Sequence, residues 1–286
     1  MKFFYNCIAI LLLPLFMAES NASDELQGGQ KTHPVIGLVL SGGGARGASH
    51  IGVLKVLEEL RVPVDIITGT SMGAIVGGLY AYGYTPDEME ELLTNVDWNE
   101  IFIDKPQRSQ LNYRRKLDDN NFLIKLEAGL KNGKIVIPTG LVQGQKLNLL
   151  LKSLTFSAPE KFDSLPIRFR AVAADIETGE AVIMSDGGLA TAMRASLSIP
   201  GVFTPVKWKD RLLVDGGFAN NIPVELAREL GADILIVVDL SSEPRKRGEL
   251  SSPFSILNQT LGFQILHNSE EQLSMMRADD ILLQPV

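Results

Sequence analysis

Five residues, Gly69-Thr70-Ser71-Met72-Gly73, carry the first chemical signal in the chain. They fit G-x-S-x-G and stand between an apolar run and a run of small residues, the setting of a strand that turns sharply into a helix. Such a turn lifts a serine hydroxyl above a sheet, and Gly69 and Gly73 tolerate the crowded backbone around it. The N–H of Met72, at the helix start, faces the place where a carbonyl oxygen attacked by Ser71 would gain charge. The helix N-terminus adds partial positive charge there. Acyl transfer through a serine nucleophile is the chemistry this pattern suggests. An ordinary strand-to-helix turn capped by Ser71 has the same letters, and the surrounding elements favour the nucleophile.

A second group, Ser41-Gly42-Gly43-Gly44-Ala45-Arg46-Gly47, follows another apolar run. Three glycines leave several N–H groups able to converge on an anion, and Arg46 supplies a fixed positive charge. No G-x-x-x-x-G-K-[ST] is present, so a phosphate-binding P-loop is excluded. Gly42-x-Gly44-x-x-Gly47 does match a dinucleotide fingerprint. However, the second strand ends in Thr68-Gly69 and runs into the serine turn, where a ribose would need an acidic residue. The group therefore reads as an oxyanion hole built from Gly42, Gly43, Gly44, Arg46 and Met72.

A serine nucleophile needs a base, and the chain has only three histidines, His33, His50 and His267. His33 lies in a polar leader, and His50 falls in the first helix as a packing or hydrogen-bonding residue. His267 sits inside a long amphipathic helix. The order Ser71, Asp215, His267 is nevertheless that of an α/β-hydrolase triad, which stays as an alternative. The other candidates are carboxylates at strand ends before Gly-Gly turns: Asp215-Gly216-Gly217 and Asp186-Gly187-Gly188. Asp-Gly is also a common turn dipeptide, and the residues alone do not choose between Asp186 and Asp215.

The elements that must position these groups alternate. A strand over 35–40 leads into the glycines, and a helix follows with Val53, Val56, Leu57 and Leu60 on its apolar stripe. A strand over 64–68 enters the serine turn, and a small-residue helix runs to about residue 82. Thr85-Pro86-Asp87-Glu88 spells a capping box with proline at the first helical position. Further helices are expected around Leu147, Leu150, Leu151 and Leu154, over 223–230 and over 253–276, with strands at 169–174, 181–184, 202–208, 212–214, 234–239 and 281–284. This alternation predicts an α/β fold with a mainly parallel sheet covered by helices on both faces.

The three ordered blocks resemble the patatin-like phospholipase family, in its bacterial branch related to neuropathy target esterase. The resemblance rests on Gly42-Gly43-Gly44-Ala45-Arg46-Gly47, Gly69-Thr70-Ser71-Met72-Gly73 and Asp215-Gly216-Gly217. Arg194-Ala195-Ser196 with Ile199-Pro200, and Asn220-Asn221-Ile222-Pro223, extend it, so that it spans residues 35 to about 240. The resemblance implies a three-layer sandwich and a Ser–Asp dyad, and it selects Asp215 over Asp186 as the base. It also implies an oxyanion hole in the Gly loop with Arg46, and metal-free hydrolysis of acyl esters in phospholipids or lysophospholipids. No cofactor is expected, and the partners are the lipid substrate and, transiently, a membrane surface. A catalytically silent lipid-binding protein is the non-enzymatic alternative.

With 286 residues, 45% of them hydrophobic, the chain can build a large core. A formal net charge of −7 argues against nucleic acid as a partner. The basic cluster Arg114-Arg115-Lys116 is a candidate contact for anionic head groups. Residues 1–22 read as a signal peptide, with Lys2, an apolar run over 8–16 and the small-x-small end Ser20-Asn21-Ala22. Residues 23–33 read as a flexible leader and 34–286 as the hydrolase domain. The single cysteine, Cys7, lies in the signal segment, so no disulfide is expected. The expected location is the periplasm, the outer membrane surface or the medium. The chain stops right after an apolar strand, which suits a passenger region before a membrane barrel slightly better than a complete exported enzyme.

Overall fold

The computed structural model describes residues 33–102, 112–113, 129–131, 134–136, 142–242, 244, 246, 248, 250 and 252–285. The basic cluster Arg114-Arg115-Lys116 and the segment read as a signal peptide lie outside them. In chain order the elements are β1 (Ile36–Leu40), a 3-10 turn (Gly44–Ala48), α1 (Ser49–Glu59), β2 (Ile66–Thr70), α2 (Met72–Tyr82), α3 (Pro86–Asn95) and α4 (Trp98–Phe102). A small hairpin, β3 (Gly129–Lys131) and β4 (Lys134–Val136), precedes α5 (Gln145–Leu154), β5 (Arg168–Asp175), β6 (Ala181–Met184) and α6 (Leu189–Ser196). The chain continues through β7 (Val206–Trp208), β8 (Arg211–Asp215), α7 (Val224–Glu229), β9 (Ile234–Val238), α8 (Pro253–Leu273) and β10 (Ile281–Leu283).

The main sheet has the order β10-β9-β1-β2-β5-β8-β7, with β6 also paired to β5. β10, β9, β1, β2 and β5 are parallel, and β6, β7 and β8 add antiparallel pairs. Alternation along the strands separates two cores. Leu38, Leu40, Ile67, Ile236 and Val238 face one way, into a cluster with Leu54, Leu79, Met89, Leu151 and Met193. Val39, Ile66, Leu235 and Val237 face the other way, against Val224 and Ala227 of α7 and the end of α8 at Leu273. Helices therefore cover both faces, a three-layer α/β sandwich. Among the described residues no helix is long and apolar enough to cross a membrane.

One edge of β5 carries two strands. Val172 of β5 pairs with Thr70 of β2 and with Ile183 of β6, and Ala173 pairs with Val182 of β6 and with Asp215 of β8. A strand has only two edges, so β6 occupies one, and β2 and β8 share the other. β2 runs parallel to β5 and stops at Val172. β8 runs antiparallel and stops at Ala173. Their C-terminal ends meet head to head at consecutive residues of β5, and Ser71 and Asp215 stand at that junction.

Two local expectations are corrected. The buried face of α1 is His50, Ile51, Leu54 and Leu57, whereas Val56 and Leu60 are exposed. His50 counts as a member of the buried face because its Nε2 pairs with the Ser41 carbonyl at 2.9 Å. The strand expected over 202–208 is reduced to β7. Val202 and Phe203 turn back on the Ile199 carbonyl, and Pro205 has no N–H to give a ladder. The capping box at Thr85 and Glu88 is present with both of its bonds.

Candidate active site

Ser71 has φ 55° and ψ −121°, a conformation that costs a non-glycine residue about 1–3 kcal/mol. Its surroundings over-determine it. The Ser71 N–H donates to Ser196 Oγ at 2.8 Å, and the Ser71 carbonyl accepts the N–H of Ala74 at 3.0 Å as α2 begins. A Cβ on Gly73 would lie 2.2 Å from the Leu40 carbonyl oxygen, and one on Gly69 would lie 2.6 Å from the Gly73 carbonyl oxygen. The ends of β1 and β2 and the first turn of α2 thus touch backbone to backbone, which only glycine allows. Gly47 has the same tight fit against the Met72 side chain.

The serine hydroxyl donates to Asp215 Oδ2 at 2.7 Å. Asp215 Oδ1 accepts the Gly217 N–H at 2.8 Å, and the Asp215 N–H donates to the Ser198 carbonyl at 2.9 Å. Both residues are nearly excluded from solvent, Ser71 at 5% and Asp215 at 6% exposure. Burial pushes the Asp215 carboxyl up from 3.8 to about 6, against the opposing pull of the Ser71 hydroxyl and the Gly217 N–H. A carboxylate raised in this way is a better proton acceptor than a free one and is still ionised at neutral pH.

Above the pair opens a cavity of about 320 Å³, bounded by Gly42–Gly44 and Arg46, by Gly217 and Asn221, and by Gln259, Gly262, Phe263 and Leu266 of α8. The expected donors are placed unequally. Gly42 is wall more than donor, since its N–H goes to the Asn221 carbonyl at 3.3 Å. Gly43 and Gly44 have N–H groups that enter no hydrogen bond among the described residues. Arg46 lines the cavity, but its guanidinium is held by Ser242 Oγ. The Met72 side chain packs into the apolar core on the far side of the turn. Its contribution is a backbone N–H that, at the first residue of α2, has no intrahelical acceptor.

The other sequence candidates lie elsewhere. Asp186 follows β6, on the edge of β5 opposite to Ser71, and accepts from Lys209 Nζ at 3.2 Å. His267 is exposed on α8, and the 2.7 Å contact between Ser71 and Asp215 leaves no space for an imidazole between them. His50 is buried below the Gly loop, and burial pulls its pKa down to about 4, against the raising effect of the Ser41 carbonyl.

Ser196 has a role that motif reading does not assign. Its hydroxyl donates to the Val172 carbonyl and accepts the Ser71 N–H, tying the strained turn to β5 at the strand junction. Its place in the Arg194-Ala195-Ser196 block is the one signal of it in the sequence. Ser196→Ala should leave a buried N–H unsatisfied, at a cost of about 1–3 kcal/mol. Melting curves check that loss, and turnover should fall about 10- to 100-fold as the turn relaxes.

The sequence model of the patatin-like phospholipase family matches residues 38–228, two thirds of the chain. The chain belongs to that family. Among curated relatives it is 34% identical over 213 residues to patatin-like phospholipase domain-containing protein ZK370.4 of Caenorhabditis elegans, covering 74% of this chain and 14% of that protein. It is 33% identical over 208 residues to the NTE family protein Rv1063c of Mycobacterium tuberculosis, covering 73% of this chain and 49% of that protein. The chain thus spans from about one seventh to half of the length of these relatives. Among solved structures, VipD from Legionella pneumophila aligns with a TM-score of 0.45 and 17% identity, over 74% of this chain and 51% of that one. The patatin-like match takes in Gly42–Gly44, Ser71, Ser196 and Asp215, and ends before α8.

Proposed function

We propose that this patatin-like chain is a serine acyl hydrolase of phospholipids or lysophospholipids, with Ser71 as nucleophile and Asp215 as the only base. The observation that carries the reading is the direct 2.7 Å bond from a strained, buried serine hydroxyl to a carboxylate at the base of an open cavity. Asp215 takes the Ser71 proton as Oγ attacks the ester carbonyl. The N–H groups of Gly43, Gly44 and Met72 receive the oxyanion. The proton passes to the leaving alcohol, and water then cleaves the acyl-enzyme by the reverse route. The apolar side of the cavity, with Ile199, Leu240, Phe263 and Leu266, suits an acyl chain.

A fluorophosphonate probe tests this reading. Covalent labelling mapped to Ser71 is the expected result. An adduct on another serine, or none on folded protein, would sink it. A panel of phospholipids and lysophospholipids assayed with the same protein reads out the head group. The N-terminal pattern of residues 1–22 supports export to the periplasm, the outer membrane surface or the medium. Intact mass of the labelled protein from its native host should accordingly show a start at Ser23, and a start at Met1 would remove the export proposal.

A further inference from the structure

Three polar side chains on one face of α8 reach the segment that follows Asp215. Asn268 Nδ2 donates to the Gly217 carbonyl at 2.9 Å, and Asn268 Oδ1 accepts the Asn221 N–H at 3.0 Å. Ser269 Oγ accepts from Asn221 Nδ2 at 3.2 Å, and Gln272 Oε1 accepts the Glu225 N–H at 3.0 Å. All three are buried, Asn268 at 7% exposure. Helical spacing puts positions 268, 269 and 272 side by side. Apolar side chains would suffice to dock a helix. A buried polar row costs free energy unless it is satisfied, and here backbone and side chains of the facing segment satisfy it.

The two groups that Asn268 holds are each one bond away from the candidate chemistry. Gly217, whose carbonyl it binds, gives its own N–H to Asp215 Oδ1. Asn221, whose N–H it binds, gives its carbonyl to the N–H of Gly42. A single amide, presenting a donor and an acceptor in one plane, therefore spans the turn that orients the carboxylate and the first residue of the donor loop. Gln272 makes the same kind of bond farther along, to the start of α7, with no such link to Asp215.

We propose that Asn268 is a positioning residue: through the Gly217–Asn221 turn it fixes both the Asp215 carboxylate and the Gly42–Gly44 loop, from a helix that lies outside the family match. The proposal rests on the reading of Ser71 and Asp215 as nucleophile and base. Arg46 and Asp215 are the charged side chains among the described residues that line the cavity, and Asn268 reaches Asp215 and the start of the Gly loop through backbone groups of Gly217, Asn221 and Gly42.

The test compares Asn268→Ala with Gln272→Ala in the full chain, following kcat, KM, the pH–rate profile and melting. Asn268→Ala should lower kcat about 10- to 100-fold with KM little changed, the effect of a misplaced reacting group. It should also move the acid limb of the profile upward, because a loosened turn weakens the Gly217 N–H bond that favours the ionised carboxylate. Gln272→Ala should lose comparable thermal stability and keep both kcat and the acid limb. Should Asn268→Ala fail to fold, Asn268→Leu keeps the size and adds no charge while removing the bonds to Gly217 and Asn221, and the same upward movement is expected. If folded Asn268 variants match Gln272→Ala in kcat and acid limb, Asn268 only docks the helix and the proposal is overturned. If instead Asp215→Asn keeps its turnover, the Ser–Asp reading itself fails, whatever Asn268 does.

Discussion

Asp215→Asn is expected to lower kcat by at least about a thousandfold, the scale of losing proton abstraction in the rate-limiting step. The substitution is nearly isosteric. The asparagine oxygen can still accept the Gly217 N–H, so the turn should hold. The amide nitrogen would then face Ser71 Oγ, where it can donate but cannot take a proton. Comparison variants separate this role from a structural one. Asp186→Asn removes only the charge that pairs with Lys209 on the far edge of β5, and it should do far less. His267→Ala changes an exposed helical residue and should leave turnover nearly intact. His50→Ala removes a buried partner of the Ser41 carbonyl, so it should cost stability before activity. Matched circular dichroism and melting curves are needed throughout. A folded His267→Ala protein as dead as Ser71→Ala would replace the dyad with a triad.

The sequence carries the local parts of this site well. A strand-turn-helix around Ser71 is written in the apolar run before it and the small residues after it, because the whole signal lies within a few residues. The α/β layering is equally local, since strand and helix periods can be read one element at a time. The meeting of Ser71 and Asp215 is not local. It depends on β2 and β8 ending head to head on one edge of β5, across 144 residues of chain. Nothing in the Asp-Gly-Gly letters separates Asp215 from Asp186. What separates them is which edge of β5 each preceding strand joins, and only the family resemblance points to Asp215. Asn268 is invisible for a related reason. A polar residue on a long helix reads as solvent-facing until the fold lays that face on a buried turn. The face of α1 is hidden by the same cause, because a histidine bonded to a carbonyl through one ring nitrogen can sit where the pattern looks for an aliphatic side chain.

The pH dependence should show the cost of holding Asp215 in this place. The proposed base must be ionised to act, so with a carboxyl near 6 the turnover should fall about tenfold for each pH unit below that value. The raised value acts on stability in the opposite sense. The folded-state value lies above the ordinary 3.8, because burial disfavours the charge. The folded protein therefore binds this proton more tightly than the unfolded chain. The stability linked to it is present in full below about pH 4 and is lost as pH rises through about 6. At about 1.4 kcal/mol for each pH unit between the unfolded and folded values, the loss is on the order of 3 kcal/mol by pH 8. Asparagine at 215 does not titrate and escapes it. Asp215→Asn, nearly inactive, should thus melt higher than the wild-type chain at pH 8, with the gap closing as pH approaches 4. Such an exchange of stability for activity is expected where a charge is buried for use. Urea unfolding of both proteins between pH 4 and 8, beside the pH–rate profile of the wild type, measures the two effects together. A profile flat down to pH 4, or an Asp215→Asn chain destabilised equally at every pH, would mean that Asp215 is not the buried base the geometry suggests.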